Sequence, residues 1–389
     1  MRLFGSAARV WAAVFSSVFC LLSLYAQSEA SVEDNLKQAV QLDPGNWDAI
    51  YRLGEFYLHA GKLSDGIPYM QHAVTLQSGN YVAGYDLALA YFDTHSYSKA
   101  RQQIQLMLKT QNTADLHSLL ADVEESAGDY LKAAAEYQAA AHIDPSEDHI
   151  FDWGTEFLNH QTYGPAITVL ARGVDLYPRS LKLNVGFGIA VYLDGQYDKG
   201  LKQLCAATDL DPAEAWPYLS LGSSYAALSS RFETDEVRKR LKRFASDQPR
   251  NARALYYYAV SLWDRNQTSE QDASTVELLL KKAVEIDPSF VDAHLQLGIL
   301  YSDRRNYPGA IRELLLALAA QPNLTIAHYH LAQAYTRAGQ KTLAKNELQI
   351  FERLHSAEAE ESQAERNRIV QFVVSMRDQP GTAANGTVK

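Results

Sequence analysis

The residues with most capacity for chemistry are a basic run, a set of histidines, one internal cysteine and two glycine clusters. Arg238, Lys239, Arg240, Lys242 and Arg243 form the densest run of positive charge, and such a run can hold an anionic partner or a lipid surface. Val237, Leu241 and Phe244 interleave with it at helical spacing, which turns the apolar three inward and leaves the cations as a solvated face. The chain has 11 histidines. His328 and His330 are two apart and diverge on a helix, and neither a His-Glu-x-x-His motif, paired cysteine ligands nor a nucleophile elbow occurs. No metal, cofactor or catalytic residue is therefore expected. Gly195 to Gly200 ahead of Leu201 and Lys202 resembles a phosphate loop but lacks its Lys-Ser/Thr end, and Gly186-Phe187-Gly188 lacks the third glycine of a dinucleotide fingerprint. Cys205 follows Leu204, where a small buried apolar residue is the expected role.

The elements that would position these residues are set by a repeat. Gly154, Gly188 and Gly222 recur every 34 residues, and Pro178, Pro212 and Pro322 follow Gly154, Gly188 and Gly298 by 24. Glycine or alanine recurs at Gly54, Ala88, Ala121, Gly154, Gly188, Gly222, Ala259, Gly298 and Ala332. A small residue there lets two antiparallel helices approach closely, and an aromatic three residues on fills the space between turns. Proline closes the second helix of each pair because it cannot continue the hydrogen-bond ladder; Asp144-Pro145, Asp211-Pro212 and Asp287-Pro288 are such stops. Full repeats begin near Trp47, Tyr81, Ala114, Glu147, Leu181, Ala215, Ala252, Val291 and Thr325. His117, His294 and His328 share one slot, where Ile50, Ile150, Tyr218 and Leu255 stand in other repeats, so they read as packing substitutes. Extra residues at 231–235 and 266–274 fall between paired helices.

The sequence resembles the tetratricopeptide repeat. The family's leucine, glycine, aromatic, small and bulky apolar slots read Leu53, Gly54, Tyr57, Gly66 and Met70 in one repeat, and Leu297, Gly298, Tyr301, Ala310, Leu314 and Pro322 in another. The resemblance implies an all-α superhelical solenoid of about nine helix-turn-helix repeats in which neighbours supply the apolar contact that one pair lacks. It covers residues 47–358, with a partial first repeat at 31–46, a capping helix at 359–378 and a disordered tail at 379–389.

In related arrays the second, fifth, ninth and twelfth positions of each repeat face a groove. Here those positions supply Tyr51, Glu55, Tyr85, Phe92, Asp122, Phe151, Tyr192, Trp216, Tyr256, Trp263 and Tyr329. The amino-terminal half of the groove is expected to be acidic and aromatic, and the carboxy-terminal half mainly aromatic. Such a surface suits a peptide or protein partner carrying Lys or Arg, through ring contact and cation-π attraction. The family's two-carboxylate clamp, built from lysine, asparagine and arginine, meets Tyr51, Glu55, Asp86, Asp115 and Leu119 here, so that mode is not expected. The resulting expectation is a non-enzymatic interaction scaffold, with a carbohydrate or cell-wall binder as the alternative.

A formal charge of −10 argues against bulk electrostatic binding of nucleic acid. Residues 1–30 place Arg2 and Arg9 before an uncharged apolar run, then Ala26, Ser28 and Ala30. That is the layout of a secretory signal peptide. Export to a periplasm or the exterior is expected, with a membrane anchor if the segment stays uncleaved.

Overall fold

The computed structural model describes residues 31–227, 235–263 and 270–358. The expected leader, the capping helix and the tail lie outside the described residues, as do 231–234 of the first inter-helix insertion and 266–269 of the second, whose remainder from 270 is helical. Those residues fold as helices joined by short turns, with no strand among them.

The chain forms two compact units, Met1–Pro145 and Ser146–Lys389. The periodicity alone implies one unbroken array; the division falls at Asp144-Pro145, a junction of the same composition as the others. In the first unit, α1 (31–42) precedes α2 (Trp47–His59), α3 (Leu63–Leu76), α4 (Tyr81–Asp93), α5 (Tyr97–Leu108), α6 (Ala114–Ser126) and α7 (Tyr130–Ile143). The second unit holds α8 (Glu147–Asn159), α9 (Tyr163–Leu176), α10 (Leu181–Leu193), α11 (Tyr197–Leu210), α12 (Trp216–Ala226) and α13 (Asp235–Asp247). It continues with α14 (Ala252–Leu262), α15 (Glu270–Ile286), α16 (Val291–Asp303), α17 (Tyr307–Ala320), α18 (Thr325–Arg337) and α19 (341–358). Within each unit, helices pack on their pair partner and on the next pair.

Most first helices start where a side chain satisfies an orphan amide, whereas α12, α16 and α18 start at Ala215, Phe290 and Leu324 with no side-chain cap. Asn46, Asn80, Thr113, Ser146, Ser180 and Asn251 accept hydrogen bonds from backbone N–H groups two or three residues on. The turn to the second helix passes through the left-handed region. Glycine supplies it at Gly61, Gly128, Gly195 and Gly339, whereas His95, Gln161 and Arg305 occupy the same place with φ of 56°, 52° and 60°. A six-residue hydrogen bond such as Lys62 N–H to the Tyr57 carbonyl closes each of these turns. Gly195 is thus a helix stop, and a Cβ on Gly200 would meet Tyr192 at 2.7 Å. Turn geometry and close packing account for the spacing that imitates a phosphate loop.

The small slot of the first helix is where neighbouring helices lock, within the pair at Gly154 and Gly298 and onto the next pair at Gly222. A Cβ on Gly154 would lie 2.5 Å from Leu170 Cδ2, on Gly222 2.3 Å from Tyr257 Cγ, and on Gly298 2.6 Å from Leu314 Cγ. At Gly54 the nearest atom is the flexible end of Met70, at 3.1 Å. Alanine in a helix is worth up to about 1 kcal/mol over glycine, while overpacking costs about 1–3 kcal/mol. Packing wins where the neighbour is a ring or a branched carbon.

The slot shared by His117, His294 and His328 carries more than shape. Each histidine Nδ1 bonds the glutamate 19 residues on: Glu136 at 2.5 Å, Glu313 at 2.8 Å and Glu347 at 2.6 Å. The Nε2 atoms of His294 and His328 donate to the carbonyls of Pro288 and Pro322 at 3.1 and 2.9 Å, and His117 Nε2 bonds Asn112 Oδ1. Both ring nitrogens of His294 face acceptors only, the arrangement of an imidazolium. Asn184 and Gln203 copy the geometry without charge: Gln203 donates to Asn184 Oδ1 at 2.8 Å, and Asn184 donates to the Pro178 carbonyl at 3.1 Å. These positions are hydrogen-bonded cross-links between paired helices rather than apolar substitutes.

The bond to Glu313 holds the His294 imidazole above its ordinary value of 6.5, against burial and with help from the Pro288 carbonyl. Burial pushes Glu313 up, but hydrogen bonds from His294 and Arg312 outweigh it and keep the carboxyl below 4.5.

Two predictions follow from this packing. Gly154→Ala and Gly222→Ala are expected to lower stability by up to about 2 kcal/mol, the overpacking cost less the helix gain, with Gly54→Ala near neutral. Urea midpoints check this, and equal midpoints for all three would contradict it. For the buried pair, side-chain exposures of 5% and 7% put the loss for Glu313→Gln alone at about 3 kcal/mol, and His294→Asn with Glu313→Gln should recover most of it. Because His294 is raised and Glu313 lowered, the pair stabilises fully between about pH 4.5 and 6.5 and its contribution is lost as pH rises through the His294 pKa or falls through that of Glu313. The double variant should lack that component of the stability–pH curve.

Candidate functional site

In the first unit, the first-helix positions gather tyrosines and carboxylates. Tyr51 on α2 stacks on Trp47, with ring centroids 5.0 Å apart, and its hydroxyl donates to Asp86 Oδ2 on α4 at 2.7 Å. Tyr85 stacks on Tyr81 at 5.9 Å, and the Tyr81 hydroxyl is hydrogen-bonded to Thr113 Oγ1 at 3.1 Å. Burial raises the Tyr51 phenol well above its ordinary value, and Asp86 and Glu55 add to the effect. Burial raises Tyr85 too, followed by the fields of Asp115, Tyr81, Asp122 and Asp86. Both phenols remain neutral hydrogen-bond donors in a negative field. Burial also pushes the Asp122 carboxyl on α6 above its usual range, offset in part by the Tyr137 hydroxyl that donates to it and reinforced by Glu125. Glu55 is partly exposed, with His59 nearby at 3.9 Å. Phe92 is different: its ring meets Tyr97 at 6.1 Å and packs against the core.

In the second unit, several expected groove aromatics are already in use. Tyr192 is only 8% exposed. It packs edge-on to Tyr197 at 5.1 Å and against Leu201 and Leu204, so its expected role as a ligand contact is corrected to core packing. The Phe151 ring is covered by Lys182 Nζ at 5.6 Å, and that amine is held by Asp148 and Glu147. Tyr256 lies between Tyr257 and Phe290, at 5.3 and 5.1 Å, and Trp263 packs half-buried at the α14 C-cap. Trp216 and Tyr329 remain open, each 37% exposed.

Tyr329 lines a cavity of about 1050 Å³ formed by α16, α17, α18, α19 and their turns. Arg305, Arg337, Lys341 and Lys345 line it as well, against one carboxylate, Asp303. The expectation of a mainly aromatic carboxy-terminal half is therefore incomplete. Two of these cations come from the second helix of the last pair and one from a turn, places that attention to first-helix positions passes over. The visible signal was the i, i+4 spacing of Lys341 and Lys345.

The densest basic run of the sequence is largely consumed within the unit. Val237, Leu241 and Phe244 are buried, as their spacing implies. Arg240 and Arg243 bond Asp209 at 2.6 and 3.0 Å, and Arg243 lies over the Tyr218 ring at 5.4 Å. Cys205 is buried, and burial pushes its thiol up to about 11, opposed by Arg240. A thiol held protonated at neutral pH is a packing group.

The profile of the Tetratricopeptide repeat family matches residues 26–81, 85–148 and 295–354. Over 334 residues the chain is 21% identical to TPR repeat-containing protein YpiA of Bacillus subtilis, covering 84% of this chain and 69% of that protein. Over 288 residues it is 24% identical to BBSome complex member BBS4 of Bos taurus, covering 71% of this chain and about half, 54%, of that one. Among solved structures it is similar to YrrB, described as a TPR protein with an unusual peptide-binding site, at 17% identity, 46% and 93% coverage and a TM-score of 0.38. Yeast Tom70 aligns at 15% identity, 94% and 88% coverage and a TM-score of 0.48. The small-to-aromatic spacing, its realisation as packed antiparallel helices and the matched segments converge, and the chain is a tetratricopeptide-repeat protein over residues 26–81, 85–148 and 295–354.

Proposed function

We infer that this chain is a non-enzymatic scaffold for protein–protein interaction, and that the first-helix face of its first unit takes a peptide or protein segment carrying Lys or Arg. The observation that supports this most is the setting of Tyr85, a half-buried phenol in the combined field of Asp86, Asp115 and Asp122. An arriving cation relieves the mutual repulsion of these carboxylates, and the Tyr51 and Tyr85 rings supply apolar contact and cation-π attraction. The layout of residues 1–30, Arg2 and Arg9 ahead of an uncharged apolar run, supports export, which would bring the scaffold to an envelope or extracellular partner.

With fluorescein-labelled octalysine as probe, Asp86→Asn combined with Asp122→Asn is expected to weaken binding about tenfold, or about 1.4 kcal/mol. Arg238→Ala with Lys239→Ala should leave it unchanged. If only the arginine–lysine variant changes affinity, the functional face lies elsewhere; binding on glycan arrays without binding on peptide arrays would replace the reading with a carbohydrate one.

A pH dependence accompanies this. The cation favours ionised Asp122, so affinity is greatest above the raised Asp122 pKa and is lost as pH falls through it. Anisotropy titrations from about pH 7 to about pH 4 should show that loss in the parent chain and a flatter profile in Asp122→Asn.

A further inference from the structure

We propose that the cavity between α16, α17, α18 and α19 is a second binding site of opposite polarity, and that it takes an acidic segment of a peptide partner. This rests on the reading of the chain as a peptide-binding scaffold, but on other residues in the other unit.

The first support is uncompensated charge. Arg305, Arg337, Lys341 and Lys345 line the cavity against Asp303 alone, and no ion pair holds any of the four among the described residues. Elsewhere in the unit cations are tied: Arg304 bonds Glu277, Arg240 and Arg243 bond Asp209, and Lys281 bonds Glu277. Four cations held around one hollow repel each other, and an anionic ligand relieves that repulsion.

The second support is Arg305 itself. It stands at φ 60° in the turn where Gly61, Gly128, Gly195 and Gly339 stand in four other repeats and His95 and Gln161 in two more, and of these non-glycine residues it alone is cationic and lines a cavity. A non-glycine side chain in the left-handed region costs stability that glycine would not. At this turn the cost places a guanidinium on the cavity wall.

The third is a hydroxyl left over. Ser302 Oγ is buried and has no hydrogen-bond partner among the described residues, and Ser302 lines the same cavity. Thr336 holds the equivalent place one repeat on and donates to the Ala332 carbonyl at 2.8 Å. The hydroxyl is shielded from solvent, and a rotation of the Ser302 side chain toward the cavity would let a ligand carboxylate or peptide carbonyl accept from it.

Size selects a chain segment over a single anion. The volume, about 1050 Å³, reaches the top of the range of about 300–1,000 Å³ that encloses a drug-sized ligand. Tyr329 offers a partly exposed ring, and Gln333 an amide that can pair with an extended backbone. The net charge of −10 does not forbid an acidic ligand, because charges farther away than a Debye length of about 8 Å at physiological salt are largely screened.

The test is anisotropy of fluorescein-labelled octaglutamate with the full chain at physiological ionic strength. Binding is expected, with about tenfold weakening in the Lys341→Glu, Lys345→Glu double variant. Arg305→Gly should weaken binding while raising the melting temperature, a combination that a purely structural arginine would not give. Octalysine binding should be unchanged in both variants, so failure of either site is seen separately from failure of the other. Absence of octaglutamate binding, equal binding by parent and variants, or complete displacement by inorganic phosphate at equal charge concentration would overturn the proposal.

Discussion

The structure depends on close approach between neighbouring helices. Where Gly154, Gly222 or Gly298 stands, a branched or aromatic side chain of a neighbouring helix occupies the place of the missing Cβ. Alanine fills the same slot at Ala88, Ala121 and Ala259, all completely buried. This contact sets the spacing between helices, and with it the height at which every first-helix side chain emerges. Tyr51 can reach Asp86, 35 residues on, only because successive first helices lie side by side at that spacing.

That dependence explains what could be read from the chain. Small residues, aromatics and prolines keep a fixed period because packing leaves them little choice, so helix starts such as Trp47, Tyr81, Glu147, Val291 and Thr325 were legible. The acidic tyrosine cluster of the first unit was legible as well, since it follows from repeat position alone. Exposure was not. Tyr192 and Tyr329 are both aromatic residues at groove positions, yet one is covered by Tyr197 and the other lines a cavity. What differs is the neighbour each meets on another helix, which no local pattern specifies.

Polar cross-links were hidden for a related reason. His294 in isolation reads as a tolerated core histidine, and Glu313 as a charge on a surface helix. Only the offset of 19 residues, repeated at His117 with Glu136 and His328 with Glu347, joins them. Asn184 with Gln203 occupies the same offset. In these four repeats the slot accepts either a charged or a neutral pair with donors and acceptors matched, because an unpaired buried polar group costs more than a made bond returns. The repeats with Ile50 and Ile150 satisfy the same rule by having no polar group there.

Charge obeys a similar local logic. A sum of −10 over the chain describes the field at long range, but within about 8 Å individual neighbours decide. The run from Arg238 to Arg243 is the most basic stretch of sequence, and its arginines are largely engaged by Asp209, Glu236 and backbone carbonyls. The cations at 305, 337, 341 and 345 are scattered in sequence, and folding collects them around one hollow. A dense cluster in sequence spreads around a helix and meets partners on several sides, whereas residues from a turn, the end of α18 and the start of α19 converge on one point. In a helical-repeat protein, concentrated charge at a site is therefore better sought where helix ends meet than along any single helix.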